Sequence, residues 1–230
     1  MFGLPPIASA ILTGFLAGII LSIPVGPVNL TILNEGARRG FKWASLIGIG
    51  ATVMEIIYCG IAFTGFAAFF ERDWIKSAME VFSFGFMLIL GLKFTFAKTI
   101  SAPMHLGKTS DIIGERIEGR LHPHSGFMIG FVRTLANPMV LLGWVILGGG
   151  FIARGWVEPT LSSKLFCLIG VAVGVGLWFL GLSWAISLGH RKIDEKTLLR
   201  MEHGSGILLL ILALANGIHI AWKLKNHHTL

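Results

Sequence analysis

The sequence predicts an all-α membrane protein whose six transmembrane helices form two inverted three-helix repeats. Its 230 residues are 54% hydrophobic and only 13% charged, with a mean hydropathy of +0.77. Soluble domains usually carry about 25% charged residues. The apolar residues are gathered into long segments, and two of these segments are broken at corresponding places. These observations indicate a chain that crosses a membrane several times and repeats its own architecture.

Six segments are long and apolar enough to cross a bilayer, which takes roughly 20 helical residues. They cover about residues 7–33, 44–70, 77–97, 125–150, 164–187 and 204–222. The longest polar gap divides the chain into a first three-helix repeat at 1–97, a cytoplasmic linker at 98–124 and a second three-helix repeat at 125–230. Because each half holds an odd number of spans, the halves must enter the membrane in opposite orientations.

The first span is interrupted by prolines. Residues 7–33 contain no charge, but Pro24, Gly26 and Pro27 fall inside this run, and Asn29 follows. Each proline removes a helix donor and clashes with the preceding turn. Backbone groups freed inside a bilayer must be satisfied by protein or by water in a cavity. Broken helices of this kind line substrate sites near the midplane of transporters, so we expect these four residues at a binding site.

The fourth span carries a corresponding break at Asn137 and Pro138. Breaks at equivalent places in two halves favour an inverted repeat with the binding site between the halves. A simpler explanation is that proline and glycine are common in membrane helices. That explanation accounts more readily for the second break alone than for both.

The distribution of Lys and Arg predicts which side of the membrane each loop faces. The loops after spans 1, 3 and 5 carry eleven basic residues, and the segments on the other side carry six. The positive-inside rule places the richer side in the cytoplasm, which puts both termini outside. A first segment that did not span would reverse the N-terminus. The formal net charge of +7 is explained by these loops rather than by a nucleic-acid partner.

Glu55 lies near the middle of the second span, on the helical face that also carries Gly48, Thr52 and Cys59. An acid at the bilayer centre costs about 2.5–3.5 kcal/mol. A cavity, a cationic partner or protonation must offset that cost. A carboxyl that changes its protonation state inside the membrane suits a proton-coupled carrier, or a carrier that binds an amino group. The alternative is a structural acid that is hydrogen-bonded across helices.

Arg133 lies inside the fourth span, five residues before Pro138. Its side chain is suited to binding a substrate carboxylate bidentately, to pairing with Glu55, or to reaching the cytoplasmic interface. The opened helices add further groups, because half-helix N-termini can hold a carboxylate and unwound carbonyls can hold an ammonium. An α-amino acid carries both groups and is therefore compatible with such a site.

Asn216 and His219 lie three residues apart in the sixth span. His219 is a second candidate for proton coupling beside Glu55, although a lone membrane histidine is often a packed hydrogen-bond partner. The Gly170–Gly174 pair in the fifth span is typical of close helix packing. Metal-ligand spacings and nucleotide-binding motifs are not found. We therefore expect no cofactor, no metal and no enzymatic activity, and any transport to be secondary.

The residues around the two breaks follow a known pattern. Pro24-Val25-Gly26-Pro27 in the first span, and Gly130-Phe131 followed by Asn137-Pro138 in the fourth, resemble the corresponding helices of the LysE/RhtB amino-acid exporters. Further similarity in residues 36–40 and 48–50, at Trp178 and in residues 200–206 extends the resemblance over nearly the whole chain.

The resemblance implies an exporter of amino acids or related small metabolites in the bacterial inner membrane, driven by the proton motive force. It also implies a six-helix inverted repeat that is able to dimerise. Three positions depart from the family pattern. Glu55 stands where an aspartate is usual, Met139 where a lysine is frequent, and Arg133 where an uncharged residue is commoner. These departures leave the identity of the substrate open.

Three other functions fit a chain of this kind. The first is transport of a cation or another small solute, although the scarcity of His and Cys clusters disfavours soft metals. The second is a membrane carrier of thiol electrons, which would place a cysteine beside each break. Cys59 and Cys167 lie in spans 2 and 5 instead. The third is a membrane scaffold, which would have no need of Glu55.

Overall fold

The architecture is taken from a computed structural model, which describes residues 5–24, 26–65, 73–97, 125–188 and 195–227. The predicted linker at 98–124 lies outside the described residues. Within the described ranges the chain forms eight α-helices and no strand, so the predicted all-α class is confirmed for them. The helices are α1 Pro6–Ser22, α2 Pro27–Arg39, α3 Phe41–Gly65, α4 Asp73–Thr95, α5 Gly126–Leu135, α6 Pro138–Ala153, α7 Leu161–Leu188 and α8 Glu195–His227.

Four of these helices, α3, α4, α7 and α8, are each long and apolar enough to cross a membrane. The remaining four form two bent pairs. The axes of α1 and α2 differ by 69°, and those of α5 and α6 differ by 67°. The described residues therefore hold four spans, or six if each bent pair is one broken span. The inverted-repeat arrangement stays a prediction.

The backbone changes direction in the same way at both bends. Helices α2 and α6 each begin with a proline, Pro27 and Pro138. Proline is well tolerated there, because the first N–H groups of a helix have no intrahelical partner and the proline ring presets the helical φ. The preceding arms end at the C-cap residues Ile23 and Ala136, which both keep right-handed helical dihedrals. The chain thus stops one helix and restarts another in a new direction at each break.

The two halves of the chain pack crosswise rather than side by side. The arm before the first break, α1, packs along α7, and the arm before the second break, α5, packs along α3. In addition, α3 packs against α7, and α4 packs against α8. Each broken helix therefore contacts the first long unbroken helix of the opposite half. This exchange brings the two breaks towards each other in the interior.

Glycines make the contact between α1 and α7 possible. A Cβ added at Gly14 would collide with the carbonyl of Cys167. In return, a Cβ at Gly170 or Gly174 would collide with the carbonyls of Ile11 and Phe15. Small residues allow membrane helices to approach until their backbones touch. The packing role predicted for Gly170 and Gly174 is confirmed.

The contact between α5 and α3 is built in the same way. A Cβ at Gly130 would meet the carbonyl of Ile47, and one at Gly50 would meet the carbonyl of Phe127. Both carbonyls belong to helix backbone, which cannot move aside without loss of helical hydrogen bonds. The α1–α7 contact and the α5–α3 contact are therefore alike, because in each of them glycines allow two helix backbones to touch.

A matching corner follows each broken helix. The corner after α2 contains Arg39 and Gly40, and Gly40 has φ of +80°. The corner after α6 contains Arg154 and Gly155, and Gly155 has φ of +67°. Positive φ is strained for residues other than glycine. In both corners the arginine lies over a tryptophan ring, at 4.5 Å for Arg39 over Trp43 and 5.2 Å for Arg154 over Trp156.

The outer faces of the long helices are apolar. The most exposed large side chains include Ile89 on α4, Leu177 on α7 and Leu214 on α8, each more than half exposed. Exposed apolar surface on this scale would be unfavourable in water, so these faces are suited to contact with an apolar medium such as the interior of a bilayer. The pattern fits a multi-pass membrane protein whose helices face lipid.

We predict that Gly130→Ala lowers the free energy of unfolding by about 1–3 kcal/mol, because its Cβ must push apart two packed helix backbones. Thermal unfolding of the detergent-purified protein, followed by tryptophan fluorescence, measures the change. The matched control is Gly181→Ala in α7, because no atom lies within 4 Å of a Cβ added there. That variant should be neutral or stabilised by about 0.5–1 kcal/mol. Equal effects of the two variants would contradict the close contact.

Candidate functional site

A partly polar cavity lies between the two breaks. Seven of the eight residues predicted to bind substrate contribute to its wall: Pro24, Gly26, Pro27, Asn29, Glu55, Arg133 and Asn137. The side chains of Pro138 and Met139 lie outside the described residues. About 80 Å³ of the cavity is reachable by the centres of water molecules. Since one water needs about 10–15 Å³ on this measure, several waters or the polar end of a small solute would fit.

Four helix ends converge on this cavity. Ser22 lies at the C-terminal end of α1, and Thr134 lies near the C-terminal end of α5. Val28 and Val140 lie in the first turns of α2 and α6. Helix C-termini carry partial negative charge and helix N-termini carry partial positive charge. The cavity wall therefore presents both signs of charge from the backbone alone.

Asn29 holds the first break together. Its amide Nδ2 donates to the carbonyl oxygens of Ser22 at 2.9 Å and Pro24 at 2.7 Å. These carbonyls stand at the end of α1, where no further helical turn supplies N–H donors. The Asn29 side chain is buried, and its Oδ1 accepts a hydrogen bond from Trp178 Nε1 at 3.2 Å. Asn29, which was predicted to bind substrate, therefore donates both of its amide hydrogens to backbone carbonyls.

The second break is supported by Tyr58, which the sequence analysis did not identify. Its hydroxyl donates to the carbonyl oxygen of Leu135, the last residue of α5, at 2.8 Å. Tyr58 is buried on α3, one turn beyond Glu55. The sequence did offer a signal for Tyr58, because it is the chain's single tyrosine and lies in the span that also holds Glu55.

Glu55 enters the cavity from α3. Gly48, Thr52 and Cys59 on the same helical face are buried, so the predicted inward direction of this face is confirmed. The Glu55 carboxylate accepts a hydrogen bond from the indole Nε1 of Trp144 on α6. Trp144 itself is buried. Within the part of the chain that the structure describes, this indole is the one donor to the carboxylate, which leaves most of its acceptor capacity for a proton or a ligand.

Arg133 lies in the cavity wall and bonds across to the other half. Its guanidinium Nη1 donates to Thr31 Oγ1 on α2, and the Thr31 hydroxyl donates to the carbonyl of Pro27 at 2.6 Å. Arg133 and Thr31 therefore link the end of α5 to the first turn of α2. The cation and Glu55 both border the same cavity.

Asn216 belongs to a second polar cluster. Its Oδ1 accepts a hydrogen bond from Arg154 Nε, and Arg154 Nη2 also donates to the backbone carbonyl of Glu80 at 3.3 Å. These groups join α8, the corner after α6, and α4, and they do not line the polar cavity. His219 follows on α8, but its side chain lies outside the described residues.

Metal-binding and thiol chemistry find little support in this site. Among the residues that the structure describes, no group of three or more His, Cys, Asp and Glu side chains is arranged to hold a metal ion. Cys59 and Cys167 are both buried as free thiols on α3 and α7. Neither lines the cavity between the breaks.

Known proteins that are similar to this chain are named as translocators or exporters. The family model of LysE type translocators matches residues 19–218. A protein of Bacillus subtilis (strain 168) named putative amino acid efflux protein YcgF is 26% identical over 194 residues, covering 84% of this chain and 88% of that one. Arginine exporter protein ArgO of Klebsiella pneumoniae (strain 342) is 24% identical over 200 residues, covering 77% and 94%. No solved structure matches the chain.

We predict that Asn29→Asp lowers the free energy of unfolding by about 1–3 kcal/mol at neutral pH, because the aspartate keeps the shape but loses the N–H donors for two buried carbonyls. Thermal unfolding in detergent measures the loss. Asn34→Asp makes the same chemical change at an exposed position of α2, and should stay within about 0.5 kcal/mol of the parent. Indistinguishable stabilities would show that Asn29 does not hold the break.

Proposed function

The chain belongs to the LysE type translocator family, and from this premise we propose that it exports amino acids or related small metabolites across the bacterial inner membrane, driven by the proton motive force. The observation that carries the proposal is the cavity between the two breaks. It joins a carboxylate, a guanidinium and helix ends of both signs in the interior of a membrane protein. Relatives named as amino acid or arginine exporters support the same function.

We propose that residues 1–97 and 125–230 form inverted three-helix repeats joined by a linker at 98–124. Three features support this architecture. The bends of 69° and 67° are nearly equal. The arm before each break packs, through glycines, on the first long unbroken helix of the opposite half. A corner with a positive-φ glycine and an arginine over a tryptophan ring follows each broken helix.

An amino-acid substrate fits the charges of the cavity. Its carboxylate would be held by Arg133 and by the first-turn N–H groups of α2 and α6, since helix N-termini favour anions. Its ammonium would lie towards Glu55 and the carbonyl ends of α1 and α5. The opposed helix ends thereby orient a zwitterion without any metal or cofactor.

Glu55 is proposed as the coupling residue. Its carboxylate borders the cavity and has one indole donor among the hydrogen bonds identified. An ionised carboxylate deep in a membrane protein is costly without a cation nearby. Substrate ammonium and a proton would therefore compete for the same group. Binding of a proton from outside would release the ammonium there, and loss of the proton to the cytoplasm would prepare the site for the next substrate.

The membrane potential supplies enough energy for such a cycle. One elementary charge that crosses 100 mV is worth about 2.3 kcal/mol. Since about 1.4 kcal/mol corresponds to a tenfold ratio, each proton supports a roughly fifty-fold gradient of exported substrate. Alternating access between the repeats would expose the cavity first to the cytoplasm and then to the outside.

We predict that Glu55→Gln lowers proton-gradient-driven efflux at least tenfold, because glutamine keeps the size and an acceptor for Trp144 but cannot carry a proton. Purified protein in liposomes is loaded with a mixture of amino acids under an imposed pH gradient, and efflux is read by mass spectrometry. Glu158→Gln changes an exposed glutamate between α6 and α7 and should export like the parent.

The two parts of the proposal fail differently in this assay. Undiminished gradient-driven efflux from Glu55→Gln, at matched protein amount, would remove Glu55 from the coupling mechanism. Absence of efflux of every amino acid from folded parent protein would reject amino-acid export, and cations would then be tested in the same liposomes.

We also propose that both termini face outward. The prediction is that Glu158→Cys is labelled by an impermeant maleimide in intact spheroplasts, whereas Arg38→Cys is labelled only after permeabilisation. Both positions are exposed, and the native Cys59 and Cys167 are buried, so background labelling should be low. The reverse pattern would invert the orientation.

A further inference from the structure

A second cavity adjoins the polar one. It lies between α1, α4, α6 and α8, and about 60 Å³ of it is reachable by the centres of water molecules. Leu21, near the end of α1, contributes to the walls of both cavities. From Leu21 the second cavity extends along α1 past Ala17 to Leu12. The two cavities therefore share Leu21 as a wall residue, next to the first helix break.

The chemistry of the two cavities differs sharply. The wall of the second cavity contains no charged side chain, and Thr13 is its one aliphatic hydroxyl. The Thr13 side chain is buried, and its Oγ1 has no hydrogen-bond partner among the described residues. A guanidinium or carboxylate that entered this space would lose its hydration without gaining a counter-charge, which is strongly unfavourable. A hydrocarbon group carries no charge, so it would not incur this cost.

We propose that this second cavity receives the side chain of the exported amino acid, so that the substrates are amino acids with apolar side chains. This inference rests on the proposed export function. The charged ammonium and carboxylate of the substrate stay in the polar cavity with Glu55 and Arg133, and the side chain passes Leu21 into the apolar space. Leucine, methionine and phenylalanine have the required chemistry, whereas arginine does not.

The other conceivable occupant is a lipid chain, because Leu12 and Leu16 on the same wall are 37% and 40% exposed. Two observations favour the substrate. The cavity is separated from the polar site by Leu21, which lines both, and its deeper wall is formed by Leu147, Phe151 and Leu209, which are buried between the helices. A lipid chain would need only the outer part of this space.

The test uses the full-length protein in liposomes under a pH gradient, loaded with equal amounts of leucine, methionine, phenylalanine, alanine, arginine and glutamate. The apolar amino acids should leave about tenfold faster than arginine and glutamate, the scale of discrimination that a hydrophobic pocket provides. Faster efflux of arginine than of leucine would overturn the inference while leaving amino-acid export intact.

Two variants locate the selectivity in the second cavity. Ala17→Phe fills it and should lower leucine and phenylalanine efflux about tenfold relative to alanine efflux from the same variant. Ala185→Phe makes the same change on an exposed face of α7 and should alter neither rate. Leu21→Ala widens the passage and should raise phenylalanine efflux relative to alanine at least threefold.

The remaining outcomes are also decisive. If Ala17→Phe lowers all amino acids alike and Leu21→Ala leaves their ratios unchanged, the cavity does not hold the side chain. Loss of co-purified lipid from Ala17→Phe with unchanged selectivity would assign the space to lipid and overturn the inference. If the parent exports no amino acid at all, the proposed function fails and this inference falls with it.

Discussion

The fold depends on one constraint, which is that a helix opened inside a membrane must have its exposed backbone groups satisfied by the protein itself. Asn29 supplies donors to the carbonyls of Ser22 and Pro24, and Tyr58 supplies a donor to the carbonyl of Leu135. Asn29 acts within the first break itself, from α2 onto the end of α1, whereas Tyr58 can act only when α3 is in contact with α5. The same requirement is therefore met locally at the first break and through helix packing at the second.

The breaks and the inward acid could be predicted from the sequence because their causes are local. Prolines interrupt a helix wherever they occur in it, and the face of Glu55 follows from helical periodicity. The long-range hydrogen bonds of Trp144 and Trp178 depend on how far each helix bends and which helix it meets, and no local pattern encodes that. The extra length of α8, Glu195–His227 against the predicted 204–222, was missed because polar turns extend a helix beyond its apolar core.

The polar side chains at the cavity fall into two groups, those that hold the backbone in place and those that border the open space. Asn29 uses both of its amide hydrogens on backbone carbonyls, so its contribution is to keep the cavity open and in register. Glu55 enters from α3 and Arg133 from α5, and both border the cavity. A site of this design can change its charged groups, as a glutamate for an aspartate or an added arginine does here, while the frame that holds them stays the same.

The glycine contacts join parts of the chain that are synthesised far apart in time. Gly14 on α1 packs against the backbone at Cys167 on α7, and most of the chain lies between these residues. At a synthesis rate of roughly 5–20 residues per second, the ribosome needs on the order of 8–30 s to deliver the partner of α1. During that interval the glycine face of α1 has no partner, and Asn29 lacks the hydrogen bond from Trp178. The packing of α1 is thus completed late, by the last third of the chain.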